Sequence, residues 1–156
     1  MNPGRKSAIT IAVFAVVLFL ACAICATGII SLFANRDVLA EPDTGPLIAP
    51  IMFLVATIVL FLQLINCGLR APKQRGSIVL GSIIGAVASY VLFVLSGAVL
   101  YGLGRGQPLL SLLFFAANVF GPFAISIGVI AFIVTFVYLL LLSYRDHGAS
   151  PPSYKA

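Results

Sequence analysis

Charged residues are scarce in this sequence. Asp, Glu, Lys and Arg make up 8% of its 156 residues, whereas apolar residues make up 62%; ordinary soluble domains are roughly a quarter charged and about half apolar. Too few polar side chains remain to cover a water-soluble globule, so lipid must solvate most of the chain. The composition excludes a soluble domain and predicts an integral membrane protein.

The apolar residues form four long runs without a charged side chain, at 8–34, 47–69, 77–103 and 109–142. Each run reaches the roughly 20 helical residues that cross a hydrocarbon core of about 30 Å. Backbone groups in lipid must pair internally, and the sequence lacks the short alternating segments of a barrel. We therefore expect an all-α fold in which residues 1–142 form one domain of four transmembrane helices.

Groups that carry out chemistry are also missing. The sequence contains no Ser, His and Asp constellation, no phosphate-binding loop and no zinc motif. None of the four runs holds the ionisable residue that ion pumps and proton-coupled carriers use at membrane depth. These absences predict a protein that is not an enzyme and binds no cofactor.

The net charge of +5 has a topological explanation and does not indicate a nucleic-acid partner. With four spans, both termini and the second loop lie on one side of the membrane. That side carries most of the cations: Arg5, Lys6, Arg70, Lys73, Arg75, Arg145 and Lys155. Only Arg36 and Arg105 fall on the other side. The positive-inside rule predicts that both termini are cytoplasmic and that the chain lies in the cell membrane.

The fourth run is longer than one crossing needs. About 22 residues counted back from Leu142 reach Gly121 and Pro122. Two geometries fit the run. Either it is one tilted helix with a kink near 121–122, or residues 109–120 lie along the outer interface before the chain turns inward at Gly121. The sequence leaves both open.

The chain has three cysteines, of which Cys22 and Cys25 form a CxxC motif on the first predicted helix. A redox centre needs an accessible thiolate of low pKa, whereas these two lie well inside a lipid-embedded run. Cys67 falls at the inner end of the second run, roughly 20 Å away along the membrane normal. We interpret all three as small packing residues and predict no metal site.

Small residues recur every fourth position in the third run, at Ser77, Gly81, Gly85 and Ser89, and Gly97 falls on the same row. Such a row lets another helix approach closely and gain dispersion contacts that a leucine-covered surface cannot make in lipid. We predict a helix-packing surface here. Its partner is either another helix of the same chain or a second protein.

Uncharged amides are among the polar side chains within the runs, at Gln63, Asn66 and Asn118. Intramembrane amides more often bond to a neighbouring helix or to their own backbone than to a solute. Amides that share one cavity would instead favour a carrier or channel for a neutral or lipophilic molecule. That function is therefore an alternative, and it requires these side chains to face a common cavity.

The C-terminal residues 143–156 are polar and proline-containing, which predicts a disordered cytoplasmic tail. Pro151, Pro152 and Tyr154 spell PPxY, a pattern that WW domains bind as a polyproline II segment with an aromatic anchor. A second alternative is thus a membrane adaptor that recruits a WW-domain protein through its tail.

The size, the four spans, the short loops and the stretch VLAEPDTGPLIAP at 38–50 resemble small four-helix integral membrane proteins of actinobacteria, in families described only as domains of unknown function. The resemblance covers the whole chain and implies a bacterial cytoplasmic membrane. It brings no catalytic or binding residue. It also argues against the adaptor hypothesis, because WW domains are essentially eukaryotic.

The leading hypothesis from the sequence is a non-enzymatic four-helix bundle that acts through helix packing. It would be an accessory subunit of a larger membrane complex or a homo-oligomer. The absence of buried charge argues against transport of ions, and the small-residue row favours contact with a membrane-protein partner or with a second copy.

Overall fold

The computed structural model describes residues 3–34, 47–70 and 77–148. These residues form five helices: α1 Pro3–Ala34, α2 Ile48–Leu69, α3 Ile78–Arg105, α4 Pro108–Val119 and α5 Pro122–Gly148. No strand occurs within these ranges. The prediction of an all-α fold is confirmed.

Four of the helices are long and apolar enough to span a membrane: Ser7–Phe33, Ile48–Leu69, Ile78–Arg105 and Pro122–Arg145. Each forms because a helix pairs the backbone groups of its apolar run internally, as a hydrocarbon environment demands. The chain is therefore a multi-pass membrane protein. The cytoplasmic placement of its termini rests on the distribution of Lys and Arg and stays a prediction.

The long helices run alternately up and down in a four-sided bundle, with α1 and α3 each packed between α2 and α5. Ala8 of α1 lies beside Gly68 of α2, and Gly81 of α3 lies beside Leu139 of α5. The start of α1, the end of α2, the start of α3 and the end of α5 therefore share one end of the bundle. We call this the basic end, because Arg70 follows α2 there.

Two turns, each with a glycine before a proline, divide the C-terminal part of the chain. α3 is capped by Gly106, whose φ of 64° is the left-handed conformation that glycine adopts at helix C-termini. Pro108 then begins α4, and Pro122 begins α5 directly after Gly121. Proline suits a first helical turn because its missing N–H needs no partner there.

The fourth run is therefore two helices rather than one kinked helix, and α4 folds back along α3. Ser111 of α4 lies against Gly102, and the hydroxyl of Tyr90 donates to the carbonyl of Val119 at the end of α4. Phe114 is the one buried side chain of α4. An interfacial position of 109–120 in the membrane stays a prediction.

Helix α5 continues to Gly148. Residues 143–148, for which the sequence predicts a disordered tail, are thus helical. The helix continues because no glycine or proline occurs between Gly128 and Gly148. The PPxY motif at Pro151, Pro152 and Tyr154 lies outside the described residues.

Candidate functional site

The small-residue row of α3 faces other helices of the same chain. A Cβ atom on Gly81 would lie 2.9 Å from Cδ1 of Leu139 in α5. A Cβ atom on Gly85 would lie 2.9 Å from Nε2 of Gln63 in α2 and 3.0 Å from Oγ1 of Thr135 in α5. The close approach that the row permits is therefore used inside the bundle, and the row supplies no argument for a second protein.

The two serines of the row have different surroundings. Ser77 is the exposed N-cap of α3, and its side chain makes no capping hydrogen bond. Ser89 is fully buried, and within the described ranges its hydroxyl has no hydrogen-bond partner. The same holds for the hydroxyl of Thr135 on the facing helix. Two hydroxyls without a partner among the described residues therefore lie in the core, and that of Thr135 faces Gly85 of α3.

Replacing Thr135 by valine should stabilise the chain by about 1 kcal/mol, because it removes a buried unpaired hydroxyl and keeps the shape of the side chain. Thr27→Val is the matched control, since the hydroxyl of Thr27 donates to the carbonyl of Ala23 at 2.9 Å and has a bond to lose. Unfolding by SDS in mixed micelles measures both. Destabilisation by Thr135→Val would show that this hydroxyl has a partner in the membrane.

The three amides are not all brought together. The Nε2 group of Gln63 donates to the carbonyl of Gly81 at 3.1 Å, so this side chain bridges α2 and α3. Asn66 is exposed on the same side of α2. Asn118 instead donates to the carbonyl of Phe114 in its own helix, at 2.9 Å. Of the three amides, only Gln63 and Asn66 face a common cavity, as the carrier or channel hypothesis requires.

Gln63 and Asn66 line a groove of about 460 Å³ between α2 and α3, at the basic end. We call it the α2–α3 groove. Its lining comes mainly from these two helices and their caps, with one side chain from α5: Val59, Leu62, Gln63, Asn66, Cys67, Arg70, Ser77, Leu80, Gly81, Ile84 and Leu139. On α2 these positions recur at intervals of three and four, so they form one continuous helical face.

Polarity changes along the groove. Arg70 and Ser77 lie at its mouth, where α2 ends and α3 begins. Gln63 and Asn66 follow, and Val59 lies deepest along α2. Arg70 and Val59 are eleven residues apart, which is about 16 Å along a helix. The groove therefore joins a cationic mouth to an apolar interior through a zone of amides.

The cysteines do not form a site. Cys22 and Cys25 are exposed on α1, so their interpretation as packing residues is wrong; these side chains face outward from the bundle. Cys67 is half-buried and lines the groove. Among the residues that the structure describes, no group of three His, Cys, Asp or Glu could hold a metal ion. The absence of a cofactor stays a prediction.

Sequence reasoning missed Arg70, Cys67 and Ser77 as members of one site with the amides. In the sequence, Arg70 contributes only to the prediction of topology. The spacing of Gln63, Asn66, Cys67 and Arg70 was a usable signal, because residues three, four and seven apart share a helix face.

A model of a family of unknown function, DUF6121, matches residues 1–156. The chain belongs to this family. The resemblance to an uncharacterised family is thus confirmed over the whole length. Comparisons with curated proteins and with solved structures gave no match. The function of this DUF6121 protein must therefore be argued from the groove.

Proposed function

We propose that this DUF6121 protein is a non-enzymatic membrane protein that binds a lipophilic molecule with a polar group in the α2–α3 groove. The observation that carries the proposal is the convergence of Gln63, Asn66 and Arg70 on a groove with apolar walls. Its volume of about 460 Å³ lies in the usual range of small-molecule sites, about 300–1,000 Å³.

Polar contacts must provide the selectivity of such a groove. In a membrane, an apolar molecule gains little from an apolar wall, because lipid chains are equally apolar. A hydrogen bond to an amide does favour binding, since hydrocarbon offers no competing hydrogen-bond partner. Gln63 and Asn66 therefore favour a molecule whose polar group lies some way down the groove.

The packing of the small-residue row argues against a role as an accessory subunit. The row through Gly81 and Gly85 is covered by α2 and α5 of the same chain. A stable partner protein would thus need a different surface. Self-association and docking to a membrane complex remain outcomes that the following experiment distinguishes.

Ile84→Trp fills the groove with a bulky side chain at a position that is 55% exposed. We expect it to reduce the small molecule that copurifies with the chain in mild detergent by about tenfold, the equivalent of about 1.4 kcal/mol. Solvent extraction and mass spectrometry measure the bound molecule per chain.

Phe14→Trp is the control, because Phe14 is 71% exposed on α1, outside the groove. It should retain the copurifying molecule. Equal retention by the Ile84→Trp variant would reject the groove as the site. A stoichiometric protein companion, with no small molecule in the unaltered chain, would support the accessory-subunit hypothesis instead.

A further inference from the structure

We infer that the occupant of the α2–α3 groove is an anionic phospholipid, with its phosphate at Arg70, its ester groups beside Gln63 and Asn66, and an acyl chain along the apolar wall. The inference rests on the proposed function and narrows the ligand to one chemical class. It follows from the charge of the mouth, the length of the groove and the place of the groove in the bundle.

Within the described residues, the charge of the lining has one sign. Among them, Arg70 is the one charged residue that lines the groove, and no carboxylate lines it. A guanidinium offers paired donors that match the oxygens of a phosphate. Across the mouth, the hydroxyl of Ser77 makes no capping bond with its own helix. The mouth thus presents a cation and a hydroxyl to one headgroup.

The length of the groove fits a lipid that lies in one leaflet. From Arg70 to Val59 the groove extends about 16 Å, about half of a hydrocarbon core of roughly 30 Å. Leu62 and Ile84 are both more than half exposed along this path. They provide an apolar wall for an acyl chain, directly below the cationic mouth.

The sequence that links α2 to α3 carries further positive charge. The connection 71–76 joins the two helices that form the groove, and it contains Lys73 and Arg75 but no acidic residue. Basic pockets between transmembrane helices bind anionic headgroups. A zwitterionic lipid fits less well, because its ammonium group would enter the same cationic environment.

The test uses a single tryptophan as a local reporter, because the chain contains none. Leu62→Trp places it in the groove, where its bulk should lower the affinity for both lipids alike and leave the preference between them measurable, and Phe14→Trp places it on α1 outside the groove. Each position is six residues from the contact between Ala8 and Gly68, so both lie at about the same depth. The full chain is reconstituted in phosphatidylcholine vesicles that contain either brominated phosphatidylglycerol or brominated phosphatidylcholine, which quench tryptophan by contact.

We expect brominated phosphatidylglycerol to quench the Leu62→Trp chain with about fivefold higher apparent affinity than brominated phosphatidylcholine. The Phe14→Trp chain should show no preference. Adding Arg70→Gln should abolish the preference at position 62, whereas Arg145→Gln removes the same charge from the same end and should keep it. Equal quenching by both lipids at position 62, or a preference that survives Arg70→Gln, would overturn the inference.

A second measurement uses the chain without a tryptophan substitution in the groove. Native mass spectrometry of this chain should show one retained phosphatidylglycerol. This lipid should be lost in the Arg70→Gln variant, and excess inorganic phosphate should not release it. Equal retention of both lipids, lost in the Ile84→Trp variant, would reject the anionic class but keep the proposed function. Release by inorganic phosphate would assign the mouth to a free anion and overturn the inference. Retention of no lipid or other small molecule would reject both.

Discussion

Replacing Gly97 by leucine is expected to destabilise the bundle by about 3 kcal/mol. A Cβ atom at this position would already lie 2.7 Å from Cε of Met52 in α2 and 2.9 Å from Cε1 of Phe114 in α4. Three further carbon atoms would force α3 away from α2 and α4 together. SDS-induced unfolding in mixed micelles measures the change in the free energy of unfolding.

Gly104→Leu provides the control for this substitution in the same helix. A Cβ atom at Gly104 would meet nothing within 4 Å, and the position is exposed. Leucine also has a helix propensity that exceeds that of glycine by roughly 1 kcal/mol. We therefore expect no loss of stability here. Equal effects of the two substitutions would show that Gly97 is not a point of close packing.

The helices could be predicted from the sequence because the bilayer imposes a simple requirement. A run without charge and of sufficient length must be helical in lipid, and runs such as 47–69 meet that requirement without reference to any other part of the chain. The observed α2, Ile48–Leu69, follows the run closely. Local composition alone therefore determines where a helix such as α2 begins and ends in the sequence.

The partner of the small-residue row could not be predicted in the same way. Glycine at 81 and 85 permits close approach, but the sequence does not state which helix approaches. The answer depends on how α2 and α5 fit around α3, with Gln63 and Thr135 converging on Gly85. That arrangement arises from packing of segments far apart in sequence.

The path of 109–120 was undetermined for a related reason. A helix kinked at Pro122 and a separate short helix share the same glycine, proline and apolar run. What distinguishes them is tertiary contact, in which Ser111 fits against Gly102 and Phe114 stacks on Tyr101 with ring centroids 5.1 Å apart. These contacts hold α4 on α3, with Phe114 fully buried.

The groove was partly visible in the sequence. From the sequence, Gln63 and Asn66 are candidates because amides that share one cavity would favour a carrier or channel, and Arg70 contributes only its charge. Their common helix face could have been recognised from spacing. The opposite wall could not, because Ser77 and Ile84 come from a different helix whose distance depends on Gly81 and the hydrogen bond that it accepts from Gln63.

Tyr138→Ala is expected to have the other large effect, a loss of about 3–5 kcal/mol. The side chain is 1% exposed in the core of the basic end. Its hydroxyl donates to the carbonyl of Leu64 in α2 at 3.0 Å and lies 3.5 Å from the carbonyl of Ala8 in α1. Truncation therefore leaves a cavity where three helices meet and removes the hydrogen bond that joins α5 to α2.

Two further variants separate the packing of Tyr138 from its hydrogen bond. Tyr138→Phe keeps the ring and should cost only about 0.6–1.7 kcal/mol, the range for hydrogen bonds between transmembrane helices. Tyr144→Ala removes a tyrosine that is 76% exposed on the same helix and should change stability by less than about 0.5 kcal/mol. If Tyr138→Phe were as damaging as Tyr138→Ala, the hydroxyl rather than the ring would hold this end together. The contact between α1, α2 and α5 would then depend on this hydroxyl, and the groove beside it would share that dependence.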